Sequence, residues 1–595
     1  MSNKESDEKA GEEKNTKEKS SEPPEDFDDI INLLGLGRWT LLMVSAYACW
    51  GMILPYFSLG SVFLNPNLEY WCADAVHPVT GQPMGNSTIL WTEVDGKQSR
   101  SRCREYNMTA VLSYLELKAS NTTPLHDTNY QGLLTWNSTG APTQQCTRWE
   151  YDTSIFTSTV TMEWDLVCEA VSLSPFFQSF YYFGTTFGEP LLGCLSDKFG
   201  RRWTLRRVWS LFMVAAVGSV LSTNYSLLLL MRFLLGICHS AGSVAYVMVM
   251  ESCPSRFRSC IGLSVTNVFA VAGIVFGGLA YLIRDWRMLQ AVCILPALLH
   301  LCYLPLMDES PRWLAQNGET AKAGRVLERA AAWHNKQLPQ HLQQLLQQQH
   351  KSHAAESDSS SSEGSDCYGS VKESIKLWLK DLVSLVKTPV LRRISLSMFG
   401  CFALVGLSYW GLSLAGGSFS SDPFLYMVLS SIMEIIGYTW IIPVLAFVGR
   451  RVLLVANFAI SAVALFLILV IPDGNQWTIL ILAMVGKLFI TAAYNLLYLF
   501  AVELFPTCVR NRGLNVSSMM ARLASIASPF VVTLLASNYK WAPSMVFGSA
   551  AAVGALLALL LPESRHRPML DTVEQLEHVY GSQRSRHTDA QHDAA

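Results

Sequence analysis

Long apolar runs alternate with short polar and charged connections along most of the chain. Twelve of these runs contain about 20 residues each, the length that a helix needs to cross roughly 30 Å of hydrocarbon. The pattern therefore predicts membrane-spanning helices. We place them near residues 38–60, 172–195, 203–222, 226–249, 261–283, 287–307, 394–416, 423–447, 452–472, 477–500, 514–536 and 543–562.

Basic residues mark one side of the predicted membrane. They follow every even-numbered span, whereas the odd-numbered exits are poor in Lys and Arg, except for Arg284 in a short turn. Lys and Arg accumulate in the cytosolic loops of membrane proteins. We therefore predict a multi-pass protein of the plasma membrane whose even-numbered exits and two termini are cytosolic.

The spans divide the chain into two six-helix halves, an arrangement typical of transporters that rock about a central site. The predicted fold is an all-α membrane protein with twelve transmembrane helices and a large extracellular first loop. Charged or Ser-rich stretches without apolar runs indicate disorder at the N-terminus and within the linker. The predicted segments are a disordered cytosolic N-terminus (1–37), the first transmembrane helix (38–60), the extracellular loop (61–171), the rest of the N-terminal half (172–307), a cytosolic linker with a Ser-rich tract (308–393), the C-terminal half (394–562) and a cytosolic tail (563–595).

The composition narrows the class of function. Half of the 595 residues are hydrophobic and 15% are charged, against roughly 25% charged residues in soluble chains. The net charge of −2 gives no reason to expect a nucleic-acid partner. The sequence has no Gly-rich phosphate loop of the nucleotide-binding type and no metal-ligand spacing, so we expect neither an enzyme nor a cofactor or metal.

The first outer loop carries signs of an oxidising compartment. Its four glycosylation sequons begin at Asn86, Asn107, Asn121 and Asn137. Its four cysteines are Cys72, Cys103, Cys146 and Cys168. Four cysteines in an extracellular loop predict two disulfides, with three possible pairings.

Charged blocks recur at the cytosolic corner of each half. The most informative is Gly193–Arg202, a turn between spans two and three; its counterpart near Gly449 lacks an acidic residue before the glycine. Acidic and basic groups at the same corner of both halves predict ion pairs between the halves that latch an inner gate. The predicted gate residues are Asp197, Gly200, Arg201, Arg202, Glu251, Glu309, Arg312, Glu503 and Arg510.

The chain resembles the organic cation, anion and carnitine transporters of the major facilitator superfamily across about residues 38–575. The resemblance rests on the cysteine-bearing first loop and on four blocks, Gly193–Arg202, Asp285-Trp-Arg287, Asp308-Glu-Ser-Pro-Arg-Trp-Leu314 and Glu503-Leu-Phe-Pro-Thr507 to Asn511. Sugar porters share some of these blocks, but span seven here lacks their paired glutamines. The resemblance implies the major facilitator fold and transport by alternating access.

Ionisable residues inside the predicted spans are candidates for a substrate site, because each costs about 2.5–3.5 kcal/mol to insert into a membrane. The predicted charged residues are Glu434, Lys487 and Arg522, in spans eight, ten and eleven. Polar and aromatic residues complete the predicted site: Tyr182, Asn267, Tyr409, Trp410 and Tyr494.

Three interpretations of these residues remain open. In the first, Glu434 and the aromatic faces hold an ammonium group, while Arg522, with Lys487, holds a carboxylate, so that the substrate is a small zwitterion. In the second, the basic residues dominate and the substrate is an organic anion. In the third, Glu434 and Lys487 form a structural pair that never touches substrate.

The resemblance bears on this choice, because the position of Arg522 is acidic in the cation-selective members of the family and basic in the anion and carnitine branches. We therefore expect a transporter of small organic ions, with a zwitterionic amine acid (carnitine-like or amino-acid-like) ahead of an organic cation. The alternatives are an organic anion transporter and a non-transporting receptor or scaffold on the same fold. The expected partners are a small organic ion and membrane lipid; a co-transported ion is left open.

Overall fold

The structure is a computed structural model that describes residues 27–73, 90–94, 97–107, 143–303, 305–338, 383, 385–472, 474–565, 570 and 572–580. The predicted sequons at Asn86, Asn121 and Asn137 and the Ser-rich tract of the linker lie outside these residues. Asn107 lies within them and is half-buried, and its glycosylation stays a prediction.

Long helices lie at each of the predicted spans, and the all-α membrane fold is confirmed. They are α1 (Arg38–Ser58), α2 (Phe176–Phe199), α3 (Arg201–Val220), α4 (Tyr225–His239, continued by Ala241–Glu251), α5 (Ser255–Leu282), α6 (Trp286–Tyr303), α7 (Pro389–Leu414), α8 (Pro423–Phe447), α9 (Arg450–Ile468), α10 (Gln476–Leu504), α11 (Arg510–Ser525) and α12 (Ala542–Leu559). Within the described residues, eight helices are long and apolar enough to cross a membrane, so the count of twelve spans stays a prediction.

Short elements connect the long helices. They are helices at Phe27–Leu34, Ser61–Leu64, Val160–Glu163, Pro311–Gln316, Thr320–His334 and Gly416–Phe419, a 3₁₀ turn at Cys168–Leu173, and three turns after α11 at Ser528–Phe530, Val531–Leu535 (π-helical) and Ala536–Asn538. We call the end of the helix bundle that carries Gly193–Arg202 the basic end. The opposite end, which carries the disulfides Cys72–Cys146 and Cys103–Cys168, is called the disulfide end.

Local chemistry sets where several helices begin. Asp422 precedes α8, and its carboxylate accepts hydrogen bonds from the backbone of Phe424 and Leu425 at 2.9 and 3.1 Å, while Pro423 occupies the first helical position. An acidic cap followed by proline is a favoured helix start. Gly200 separates α2 from α3 with φ of 96°, a conformation that favours glycine.

Small residues let the helices of one half approach closely. α2 packs closely on α4, and a Cβ atom on Gly236 of α4 would overlap the backbone carbonyl of Tyr181 in α2. In the second half, a Cβ atom on Gly406 of α7 would overlap the backbone of Ala521 in α11. Association of helices in lipid depends on such close packing, because lipid tails leave little hydrophobic driving force between helices.

The described part of the loop between α1 and α2 contains three small antiparallel sheets. β1 (Tyr70–Cys72) pairs with β6 (Trp149–Tyr151), β2 (Trp91–Val94) with β3 (Lys97–Arg100), and β4 (Arg104–Tyr106) with β5 (Thr143–Gln145). Disulfide Cys72–Cys146 joins β1 to the residue after β5, and disulfide Cys103–Cys168 joins the residue before β4 to the 3₁₀ turn. The prediction of two disulfides is confirmed, and the structure selects one of the three pairings.

This loop rests on the connection between α5 and α6. Glu163 accepts a hydrogen bond from the indole nitrogen of Trp286 at 2.9 Å and forms an ion pair with Arg287. The Arg287 guanidinium also lies 4.5 Å from the centre of the Trp286 ring. The Asp285-Trp-Arg287 block therefore anchors the loop to the N-terminal half.

Part of the N-terminal segment 1–37, which the sequence predicted to be disordered, forms a packed helix in the structure. The helix Phe27–Leu34 buries Ile30, Ile31 and Leu34 in a cluster shared with the linker helix Thr320–His334. These side chains share one helix face. Their partner lies about 300 positions away in sequence, as the bond between His334 and the Leu34 carbonyl (|i−j| of 300) shows, so the local pattern alone gave no reason to expect packing.

Aromatic rings join the two halves at the disulfide end. Phe424 of α8 stacks on Phe63 with ring centres 5.3 Å apart. Phe156 and Tyr281 contact the same ring at 5.7 and 5.6 Å. On the other side of the bundle, α2 and α11 meet where Ser179 donates a hydrogen bond of 2.9 Å to the carbonyl of Ile526. These contacts close the disulfide end.

We predict that Phe424→Ala loosens this closure. Each aromatic pair contributes about 0.5–1.5 kcal/mol beyond area burial, so losing these contacts should favour opening by about fivefold or more. The readout is the labelling rate, on intact cells, of a cysteine introduced at Ser431, which lies against Gly273 between the halves. Trp541→Ala removes an exposed aromatic residue and should leave the rate unchanged; equal rates in both variants would contradict the role of Phe424.

Candidate substrate site and gate

Four ionisable side chains lie near the middle of the helix bundle. Glu189 is ten residues from the end of α2, which places it about 15 Å from the basic end. Arg522 lies at a similar depth in α11, and Glu434 and Lys487 lie eleven residues into α8 and α10. Each pairs with another, so the structure divides the four into two ion pairs of different character.

The first pair lies inside the C-terminal half. The Lys487 ammonium is 2.8 Å from the Glu434 carboxylate, and the two side chains are 0% and 3% exposed. Lys487 also donates to the Ser413 hydroxyl at 2.5 Å and lies 3.6 Å above the ring centre of Tyr409. The Lys487 ammonium is thus fully engaged and itself neutralises the Glu434 carboxylate, as the third interpretation requires.

The second pair joins the two halves. Arg522 of α11 lies 3.0 Å from Glu189 of α2, and the side chains are 16% and 26% exposed. The Nε atom of Arg522 is buried and makes no hydrogen bond among the described residues. This pair is therefore the more accessible of the two and retains a free donor.

Aromatic residues predicted for the site form one continuous row. Tyr182 of α2 contacts Trp410 of α7 with ring centres 5.2 Å apart, again across the halves. Trp410, Tyr409 and Tyr494 then follow one another at 5.2 Å, and Tyr498 continues the row at 5.6 Å. The row ends near α11, where the Tyr498 hydroxyl lies 3.2 Å from Ser518.

Two polar atoms of the predicted site residues are buried and lack hydrogen-bond partners among the described residues. They are the indole nitrogen of Trp410, within this row, and the amide oxygen of Asn267 in α5. A buried polar atom without a hydrogen bond costs free energy. Both atoms can therefore gain from a bound polar solute.

A carboxylate caps α3 at the basic end of the N-terminal half. Glu309 accepts hydrogen bonds from the backbone of Arg201 at 2.8 Å and of Arg202 at 3.0 Å, where helix N–H groups lack internal partners. Burial raises the pKa of Glu309, and the backbone hydrogen bonds oppose that shift. Arg201 also pairs with Asp197 at 3.2 Å and Glu251 at 3.3 Å.

The C-terminal half repeats this arrangement. Glu563 accepts hydrogen bonds from the backbone of Arg450 at 2.8 Å and of Arg451 at 3.1 Å. Arg450 pairs with Glu503 at 3.2 Å. A Cβ atom on Gly449 would overlap the Glu563 carboxylate, so a glycine before each helix admits the capping group.

These ion pairs differ from the expectation in one respect. Each pair shown here joins residues of one half, whereas the sequence predicted pairs between the halves. The reason is geometric. Glu309 follows α6 and Glu563 follows α12, the last long helix of each half, and each carboxylate reaches a helix N-terminus of its own half, that of α3 and that of α9. Of the remaining predicted gate residues, Arg510 bonds to the Phe505 carbonyl and the Thr507 hydroxyl, and Arg312 lies on the helix Pro311–Gln316.

Two residues with central roles in the structure, Glu563 and Glu189, were not assigned to the gate or to the substrate site from the sequence. Glu563 lies in Leu561-Pro-Glu-Ser-Arg565, the repeat of the Glu309 block, so the repeat itself was the signal. Glu189 is an acidic residue inside a predicted span and thus a candidate by its cost of insertion. Its partner Arg522 lies in the other half, so the pairing needed the structure.

We predict that the Glu434–Lys487 pair is structural. Glu434→Gln or Lys487→Met alone should destabilise the protein by about 3–5 kcal/mol, because each leaves an unpaired buried charge, and the double variant should recover much of that loss. Thermal unfolding of the purified protein measures the effect. Full stability in both single variants, with loss of substrate binding, would instead place the pair in the binding site.

We predict that the two capping carboxylates make equivalent contributions. Glu309→Ala and Glu563→Ala each remove hydrogen bonds to a helix N-terminus, with a cost of about 1.5–3 kcal/mol for a charged acceptor. Both should lower the thermal midpoint, whereas Glu319→Ala, in a surface pair with Lys322, should change it little. A drop in only one of the two capping variants would contradict the equivalence of the halves.

Comparisons with known proteins agree with this geometry. The profile of the "Sugar (and other) transporter" family matches residues 108–575. The chain is 29% identical to "Organic cation transporter protein" of Drosophila melanogaster over 93% of this chain and 94% of the relative. It is 28% identical to human "Organic cation/carnitine transporter 2" over 93% and 95%. It is 30% identical to "Solute carrier family 22 member 6-A" of Xenopus laevis over 74% and 77%.

Solved structures share the fold. The partially occluded inward-open form of the xylose transporter XylE from E. coli superposes with a TM-score of 0.55 at 15% identity, covering 89% of this chain and 99% of that one. XylE bound to 6-bromo-6-deoxy-D-glucose gives 0.53 at 16% identity, covering 91% and 99%. The protein is thus a membrane transporter of organic ions and not an enzyme. The chain belongs to the sugar and other transporter family of the major facilitator superfamily and, within it, to the organic cation, anion and carnitine transporters of solute carrier family 22.

Proposed function

We propose that this protein carries a small zwitterionic amine acid, carnitine-like or amino-acid-like, across the plasma membrane by alternating access. The observation that carries the proposal is the ion pair between Arg522 and Glu189, one charge from each half. Substrate carboxylate would replace Glu189 at the guanidinium, and substrate ammonium would replace Arg522 at the carboxylate. A zwitterion thus satisfies both charges without leaving either unpaired.

Glu189 is assigned to the substrate ammonium because the other acidic candidate, Glu434, is already paired. Glu434 was the first choice on sequence, but Lys487 already neutralises it at 2.8 Å in a site closed to solvent. Glu189 remains the accessible acidic group at this depth in the described residues. Tyr182 and Trp410 supply aromatic faces that attract cations.

The same pair explains how binding would couple to movement. Arg522 moves with the C-terminal half and Glu189 with the N-terminal half, so a bound zwitterion links the two charges and keeps the halves together around it. Without substrate, the direct ion pair performs this role. In both states, neither Arg522 nor Glu189 is left as an uncompensated charge inside the membrane. The halves are therefore expected to rock when these two residues are paired with each other or bound to substrate.

An organic anion is the second candidate substrate. Its supporting observation is the buried Nε atom of Arg522, which offers a second donor for a bidentate carboxylate. An anion would leave Glu189 without a partner, so this interpretation predicts that anion uptake improves when Glu189→Gln removes the charge. A receptor or scaffold would need neither the accessible pair nor the unpaired Trp410 indole.

We predict that Arg522→Gln and Glu189→Gln separate these substrate classes. In vesicles, Arg522→Gln should reduce the uptake of a carnitine-like zwitterion at least tenfold more than the uptake of a matched amine without the carboxylate. The reason is that a hydrogen bond to a charged group is worth about 1.5–3 kcal/mol. Glu189→Gln should reduce the uptake of both the zwitterion and the amine, and should leave unchanged or increase the uptake of a matched carboxylate.

The control is Arg392→Gln, an exposed charge at the start of α7, which should leave all three solutes unchanged. Equal losses for every solute in Arg522→Gln would remove this residue from the binding site. Absence of saturable uptake of any solute class by the unmodified protein would contradict the assignment of small organic ions as substrates.

A further inference from the structure

An open cavity of about 460 Å³ lies at the basic end, between the start of α3 and the helices that follow α6. Its volume is more than ten times the roughly 30 Å³ that one water molecule occupies in the liquid. Four basic and two acidic side chains line it, which gives the lining a net charge of +2. The basic residues are Arg202, Arg206, Arg207 and Lys322.

The acidic residues of this cavity are engaged within the protein. Glu309 accepts the backbone N–H groups at the start of α3, and Glu319 pairs with Lys322 at 2.9 Å. The arginines on α3 therefore leave the cavity positive. An anionic ligand with several acceptor oxygens suits such a lining.

One exposed face of α3 runs from the cavity along the surface of the helix bundle. Trp203, Arg207 and Ser210 line the cavity and are exposed. The same helix face continues with Val214 and Val217, which are 66% and 43% exposed, at the three- and four-residue spacing of one face. An apolar face directly above a basic pocket suits a ligand with a charged headgroup and hydrocarbon chains.

The C-terminal half shows that Arg206 and Arg207 are not needed for the helix start that the two halves share. α9 keeps Arg450 and Arg451 with the Glu563 cap. At the positions that match Arg206 and Arg207, however, α9 carries Val455 and Ala456. The extra charges in α3 thus serve something other than the helix cap.

We propose that this cavity binds the headgroup of an anionic phospholipid that carries phosphate groups in addition to its diester, with the acyl chains along the exposed face of α3. Basic pockets next to transmembrane helices on the cytosolic side suit such headgroups, and the cytosolic leaflet supplies anionic lipid. With the headgroup in the cavity, Trp203 would lie at the boundary between headgroups and hydrocarbon, where tryptophan is enriched. The site is separate from the substrate pair and does not depend on the substrate assignment.

The test uses the purified full-length protein and a fluorescent short-chain phosphatidylinositol bisphosphate, with binding followed by anisotropy. Arg206→Gln with Arg207→Gln should weaken binding by about thirtyfold. The matched control, Arg392→Gln with Arg393→Gln, removes two exposed arginines at the same end of the bundle and should change binding less than about twofold. Ser210→Glu, at an exposed lining position, provides an independent variant should the double substitution fail to fold.

Competition identifies the ligand source. The soluble inositol trisphosphate headgroup and inorganic phosphate should each compete at least about tenfold more weakly than the lipid, because neither buries acyl chains on α3. Equal competition by inorganic phosphate would show an anion site rather than a lipid site. Equal losses in the two arginine pairs, or no binding by the unmodified protein, would overturn the proposal.

Discussion

The cost of an unpaired charge inside a membrane is the constraint on which the rest of this structure depends. Two ion pairs at mid-depth reflect it: Lys487 meets Glu434, and Arg522 meets Glu189. Arg232 is compensated less completely: its buried guanidinium lies 3.7 Å from the ring centre of Phe177 and donates to the carbonyl of Phe57, while its Nε and Nη2 atoms make no hydrogen bond among the described residues. Helix packing and helix pairing at mid-depth must be compatible with these contacts.

The two central ion pairs illustrate how the same chemistry serves stability and function. The pair inside the C-terminal half is closed off and supported by Ser413 and Tyr409, so it holds three helices in register. The pair between the halves is partly accessible and breaks when the halves separate or when a solute takes its place. At the disulfide end the rings around Phe424 close the bundle, while at the basic end each half completes its own network.

Hydropathy and charge were sufficient to predict the fold class, the positions of the long helices and the repeated corners, because insertion into lipid imposes these patterns on the local sequence. The contact partners of individual side chains were harder to predict. The partner of Arg522 lies in the other half, and the partners of Ile30 and Ile31 lie in the linker, so both depend on tertiary packing. The disulfide pairing likewise required the strand pairing of the loop, such as Tyr70 against Tyr151.

The central claim is that substrate takes the place of the ion pair between the halves. An experimentally determined structure with a bound carnitine-like zwitterion tests it most directly. The account predicts the substrate carboxylate about 3 Å from the Arg522 guanidinium and the ammonium beside Glu189, with the direct pair broken and the Glu434–Lys487 pair intact. A substrate bound at Lys487 or elsewhere, with Arg522 still paired to Glu189, would contradict it.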